Sequence, residues 1–107
     1  MFDKAKAIKE YGITEEFYDG LLKEFITHAR KDLPIMEKSI AAGDFKEAQS
    51  VIHSLKGAAG NLRVAQAYQL TITLEDAIKK NLAQEINDYT VKLKTYIDEL
   101  SLELKIE

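Results

Sequence analysis

The chain has 107 residues, no cysteine, and 15 basic against 18 acidic side chains, for a net charge of −3. Its length suits a single domain, residues 1–107, with a core that needs no staples; the missing cysteines exclude a disulfide framework or thiolate metal site, and the charge balance argues against a nucleic-acid partner. One proline, five glycines and 31% charged residues favour an all-helical architecture, and neither a membrane-length apolar run nor a signal peptide after Met1 is present, so a soluble cytoplasmic protein is expected.

Residues 3–11 read as a short amphipathic helix presenting Phe2, Ala5 and Ile8. Thr14 then has the chemistry of an N-cap, with Glu15 and Glu16 complementing the dipole of the helix it opens. Tyr18, Leu22, Phe25, Ala29, Leu33, Met36 and Ile40 follow one face at helical spacing. The apolar phase carries across Pro34, which predicts one long, kinked helix instead of two. Gly43 is suited to stop it, and Asp44 with Glu47 three residues later forms a capping-box pattern for the next helix.

That helix is expected over about 44–61, with Phe45, Ala48, Ile52, Leu55, Ala59 and Leu62 as its buried stripe. Leu62-Arg63-Val64 reads as a turn. A further helix carries Ala67, Leu70, Leu74, Ala77 and Ile78 inward and stops near Lys79-Lys80-Asn81. The last presents Ile86, Tyr89, Leu93, Tyr96 or Ile97, Leu100 and Leu104. Four long helices with short connections, plus the short N-terminal one, predict an antiparallel up-down-up-down four-helix bundle.

The stretch His53-Ser54-Leu55-Lys56-Gly57-Ala58-Ala59-Gly60-Asn61-Leu62 does not look purely structural. His53, Lys56, Gly57 and Gly60 share a stripe beside the buried seam, since residues three and four apart stack on one helix face. Each mid-helix glycine costs about 1 kcal/mol relative to alanine, so two of them suggest cleared surface around an imidazole. His28 lacks any such company and reads as a solvated side chain.

This run resembles the signature of histidine-containing phosphotransfer domains, His-x-Leu-Lys-Gly followed by small residues and Asn-Leu. Two further landmarks resemble the same family in order: Ala42-Gly43-Asp44-Phe45 upstream and Leu74-Glu75-Asp76-Ala77 downstream. The likeness covers roughly residues 14–82. One position departs from it, because Arg63 stands where the family usually has a glycine, ten residues after the histidine.

The resemblance implies that His53 is a phosphoacceptor. If the two middle helices form a hairpin about residues 62–64, His53 and Glu75 come level, with Glu75 on the shoulder of Tyr68, Ile72 and Lys79. A carboxylate bonded to Nδ1 of an imidazole fixes the tautomer and leaves Nε2 free to attack; the resemblance implies that role for Glu75, although pairing with Lys79 at i, i+4 is an alternative. Lys56, one turn from the histidine, is placed to neutralise phosphoryl oxygens. Gly57, Ala58, Gly60 and Ile72 are candidates for a docking surface, with packing as the competing explanation for Gly60.

No P-loop, kinase-type glycine loop or metal-holding acidic cluster is evident. The chain is therefore expected to have no ATP site, metal or other cofactor of its own. The phosphoryl group and its Mg²⁺ are expected on a partner receiver domain, with a sensor histidine kinase further upstream and the chain itself a monomer. Direct phosphorylation by a chemotaxis-type histidine kinase core is the alternative, against which the opening Met1 and the lack of a trailing linker argue. A non-catalytic helical interaction module is the second alternative.

Overall fold

The computed structural model describes residues 4–104. Phe2 and Asp3, expected at the start of the first helix, lie outside the described residues. Among the described residues there are five helices and no strand: α1 (Lys4–Tyr11), α2 (Glu15–Ala41), α3 (Phe45–Asn61), α4 (Ala65–Lys79) and α5 (Ala83–Glu103).

Local chemistry sets these boundaries. The Thr14 hydroxyl accepts from the Phe17 amide at 3.1 Å and the Asp44 carboxylate from the Glu47 amide at 3.1 Å, each satisfying an otherwise unpaired donor. α2 runs unbroken through Pro34. α1 is followed directly by left-handed Gly12 (φ 62°), and α2, α3 and α4 end on a left-handed residue too: Gly43 (φ 78°), Arg63 (φ 61°) and Asn81 (φ 55°).

After α3, the Arg63 amide donates to the Gly60 carbonyl and the Val64 amide to the Ala59 carbonyl. The same pair of bonds closes α2 and α4, so the ends of α2, α3 and α4 are Schellman turns. Arg63 thus keeps the backbone form that a glycine would adopt more cheaply.

One hydrophobic core draws on all five helices. Tyr18, Leu22, Phe25, Ala29, Leu33 and Met36 face it from α2, and Ala48, Ile52, Leu55 and Ala59 from α3. Full burial of a leucine or isoleucine here is worth about 1.5–3 kcal/mol. Tyr96 and Ile97 are both buried, so the alternative between them dissolves. Ile40, Phe45, Leu62 and Leu104 are only partly buried, because they sit at helix ends where the core opens to water. Leu70 and Tyr89 also pack on the core without being fully enclosed.

α2 packs on α3 and α5, α3 on α4, and α4 on α5, so these four helices form a closed ring of neighbours. α1 lies against α2, with Ala7 fully buried and Lys4 bonded to Asp19 at 2.8 Å.

Candidate functional site

α3 contributes His53 and Lys56, one turn apart, and α4 contributes Glu75 and Lys79, also one turn apart. The Schellman turn at Arg63 brings the two helices together, and α3 against α4 is a principal contact of the fold. Glu75 accordingly reaches across: its Oε2 lies 3.1 Å from His53 Nδ1, and its Oε1 accepts from Lys56 Nζ at 2.6 Å. Lys79 Nζ stands 3.9 Å from the same Oε2. The cross-helix contact and the local i, i+4 pair therefore coexist.

Burial differs sharply within this group. The Glu75 side chain is 8% exposed while that of His53 is 69% exposed. Its shoulder neighbours Tyr68, Ile72 and Lys79 are open to solvent, but Glu75 is closed over by the side chains it binds. Burial pushes its carboxyl up, yet the hydrogen bonds from Lys56 and His53, with the charges of Lys56 and Lys79, outweigh that. The balance holds the carboxyl below the usual glutamate value.

The ionised carboxylate can only accept, so the His53 nitrogen facing it must carry the proton. The neutral ring then has its lone pair at Nε2, on a largely exposed side chain. A nucleophilic nitrogen open to solvent, an oriented ring and two nearby ammonium groups suit an electrophile that arrives with negative charge.

The docking candidates separate into two kinds. A Cβ on Gly57 would meet nothing within 4 Å, so that position is open surface. A Cβ on Gly60 would lie 3.1 Å from the Tyr68 ring, and the space expected to be clear there is filled by packing between α3 and α4. Ala58 is partly buried against the core, whereas Ile72 is 37% exposed. His28 is exposed on α2.

The end of α3 carries contacts that its own sequence does not announce. Its final carbonyls are taken by the Tyr11 hydroxyl (to Asn61, 2.5 Å), the Tyr18 hydroxyl (to Leu62) and the Arg63 guanidinium (to Gly60, 2.9 Å). Arg63 also donates to Glu10 at 2.8 and 3.2 Å and stacks 5.3 Å from the Tyr11 ring centroid. Glu10, Tyr11 and Tyr18 lie far from α3 in the chain, so no local signal marks these contacts.

Among the described residues no group of three or more His, Cys, Asp or Glu side chains is placed to hold a metal ion, and no helix is long and apolar enough to cross a membrane. A family model described as Hpt domain matches residues 20–103. No curated protein and no solved structure matches the chain. The family match spans most of the sequence and includes the whole of α3 and α4, so the chain belongs to the Hpt domain family, whose members carry phosphoryl groups on histidine in phosphorelays.

Proposed function

We propose that this chain is a phosphoryl carrier in a two-component phosphorelay, accepting the group on His53 from a receiver aspartate and passing it to another receiver. The observation that carries this is the Glu75–His53 Nδ1 contact within an Hpt-family helix pair. Nε2 attacks phosphorus, the N–P bond forms, and the P–O bond to the aspartate breaks, releasing its carboxylate. The ring proton stays on Nδ1, where Glu75 offsets the positive charge that develops on the imidazole. Lys56 and Lys79 lie near enough to stabilise the added phosphoryl oxygens.

The chain needs no ATP site, metal or cofactor for this step; Mg²⁺ belongs to the receiver. In the same proposal α2 to α5 form an up-down-up-down antiparallel bundle, supported by their closed ring of contacts and short connections. The described residues share one core, which fits a single cytoplasmic, monomeric domain that engages receivers and, through them, a sensor kinase. Phosphorylation directly by a chemotaxis-type kinase core is a second route to the same His53.

The test is labelling with a phosphorylated receiver and, separately, with a kinase core and ATP. Acid-labile, alkali-stable label should appear on His53 alone with the receiver and vanish in His53→Gln at unchanged helical content. Label retained on that variant would sink the assignment, and label gained only from the kinase core would move it to the second route. ¹⁵N spectra of the imidazole should show the Nδ1–H tautomer in the wild type and a mixture in Glu75→Ala; Glu75→Gln, which retains a hydrogen-bonding oxygen, should keep more of it.

A further inference from the structure

Glu75 is held unequally by the groups around it. Lys56 Nζ donates to Oε1 at 2.6 Å and His53 Nδ1 faces Oε2 at 3.1 Å, while Lys79 Nζ stands back at 3.9 Å from Oε2. The Lys56 side chain is 25% exposed and that of Lys79 57% exposed, so the second ammonium is the less committed. Among the described residues this loose contact is the single ion pair of Lys79, and its neighbour Lys80 is taken by Asp76. A charge-assisted bond to a carboxylate closes to about 2.8 Å, so Lys79 needs a shift of only about 1 Å to bond Oε2 directly.

Loading His53 changes what Lys56 is asked to do. The two imidazole nitrogens point away from each other, so a phosphoryl group on Nε2 and the carboxylate at Nδ1 lie on opposite sides of the ring. The charge of the transferred group is spread over three oxygens, and an ammonium that moves to meet them lengthens its 2.6 Å bond to Oε1. Glu75 is nearly buried, and a buried carboxylate that loses its shortest donor is destabilised. It would then draw the proton from Nδ1. Onward transfer needs that proton where it is: when the N–P bond breaks, Nε2 keeps the electron pair, and the ring leaves as neutral imidazole only if Nδ1 is protonated.

We propose that Lys79 is a positioning residue: as Lys56 turns to the phosphoryl oxygens, Lys79 closes on Glu75 and keeps the carboxylate ionised against the Nδ1–H for as long as His53 is phosphorylated. The proposal rests on the phosphocarrier function above. The exchange makes and breaks no covalent bond; one ammonium replaces another on the same carboxylate, and the Nδ1 proton stays. Direct contact of Lys79 with the phosphoryl oxygens is the competing role, and the two differ in whether Glu75 is needed.

The test is a double-mutant cycle on the loading equilibrium with one phosphorylated receiver, each variant first being labelled with phosphoramidate, a small donor. Lys79→Met should lower the loading equilibrium constant about fivefold, the upper range for an ion pair with one exposed partner, and Lys79→Arg should restore most of it. In a Glu75→Gln background Lys79→Met should have no further effect. Coupling across the hydrogen bond between lysine ¹⁵Nζ and the Glu75 carboxyl ¹³C should come from Lys56 in the unphosphorylated protein and from Lys79 once His53 is phosphorylated.

No effect of Lys79→Met, or an equal effect in both backgrounds, would overturn the inference while leaving the phosphocarrier function intact. So would a Lys56–Glu75 coupling that survives phosphorylation. Failure of wild type to label at His53 with either donor would overturn both.

Discussion

Lys56 holds Glu75 more closely than His53 does, at 2.6 Å against 3.1 Å. The lysine bond anchors one oxygen of a nearly buried carboxylate, and the other oxygen is thereby aimed at the imidazole. Lys56 thus positions the carboxylate that faces the ring, a task separate from the phosphoryl-stabilising role proposed for it and one that its place one turn from the histidine did not by itself reveal.

Removing that anchor has a predictable sign. In Lys56→Met the Glu75 carboxyl stays buried but loses its shortest partner, so its titration should move up from the depressed wild-type position. Because the folded value is depressed, Glu75 contributes stability above the ordinary glutamate range, and the contribution is lost as pH falls through the folded value. The variant should show a weaker acid-side loss and about 1 kcal/mol less stability at neutral pH. ¹³C-detected carboxyl titration with urea unfolding checks both; an unmoved carboxyl titration would show that the Lys56 bond is not maintained in solution.

The two glycines of α3 should respond differently to alanine. At Gly57 a Cβ has open space, so Gly57→Ala should stabilise the fold by about 0.5–1 kcal/mol through helix propensity alone. At Gly60 the Cβ would stand 3.1 Å from the Tyr68 ring, which must give by a few tenths of an ångström. Tyr68 is 36% exposed and can yield, so Gly60→Ala should gain less than Gly57→Ala. Equal gains in urea unfolding would mean that Tyr68 does not rest on Gly60. Gly57→Leu should also slow receiver transfer, by crowding the open surface one turn from His53.

Much of this was legible in the residues. The α2 and α3 stripes were legible in all but their end residues Ile40, Phe45 and Leu62, because helical periodicity is a local signal carried by many positions, and the Thr14 and Asp44 caps because their chemistry is local too. The level placement of His53 and Glu75 needed only a short turn of known direction. The depth of Glu75 was not legible, since its enclosure comes from Lys56 and His53 on another helix. Nor was the clamp on the end of α3: Glu10 and Arg63 are far apart in the chain, and nothing in either segment encodes the meeting. Gly60 carried two explanations until the ring of Tyr68 was seen beside it.

Tyr96 offers a test remote from the site. Its hydroxyl is buried without a hydrogen-bond partner, and burial, with Glu103 and Glu99 adding to it, pushes its pKa up to about 12 from 10.0. The raised value means that this residue's contribution to stability is complete below pH 10.0 and is lost as pH rises through about 12. Tyr96→Phe removes an unsatisfied hydroxyl while keeping the ring, so it should be neutral or stabilising at pH 7 and flatten the alkaline loss. Ultraviolet titration should lose one late-ionising tyrosine in the variant. A destabilised Tyr96→Phe would reveal a hydroxyl partner.

Arg63 separates the turn from the clamp. Its φ of 61° is strained for a side-chain-bearing residue and natural for glycine, while its bonds to Glu10 are exposed and individually weak. Arg63→Gly should therefore keep the Schellman turn and leave overall thermal stability equal to or above wild type. α3 and α4 should stay in register, so the His53–Glu75 contact and the Nδ1–H tautomer should persist. α1, in contrast, loses its guanidinium tie and the stacking on Tyr11, and keeps Tyr11 to Asn61 and Lys4 to Asp19. Its amides should exchange faster while those of α3 do not change. If the tautomer shifts in Arg63→Gly, the turn depends on the side chain, and the register of His53 and Glu75 is set by Arg63 instead of by the backbone.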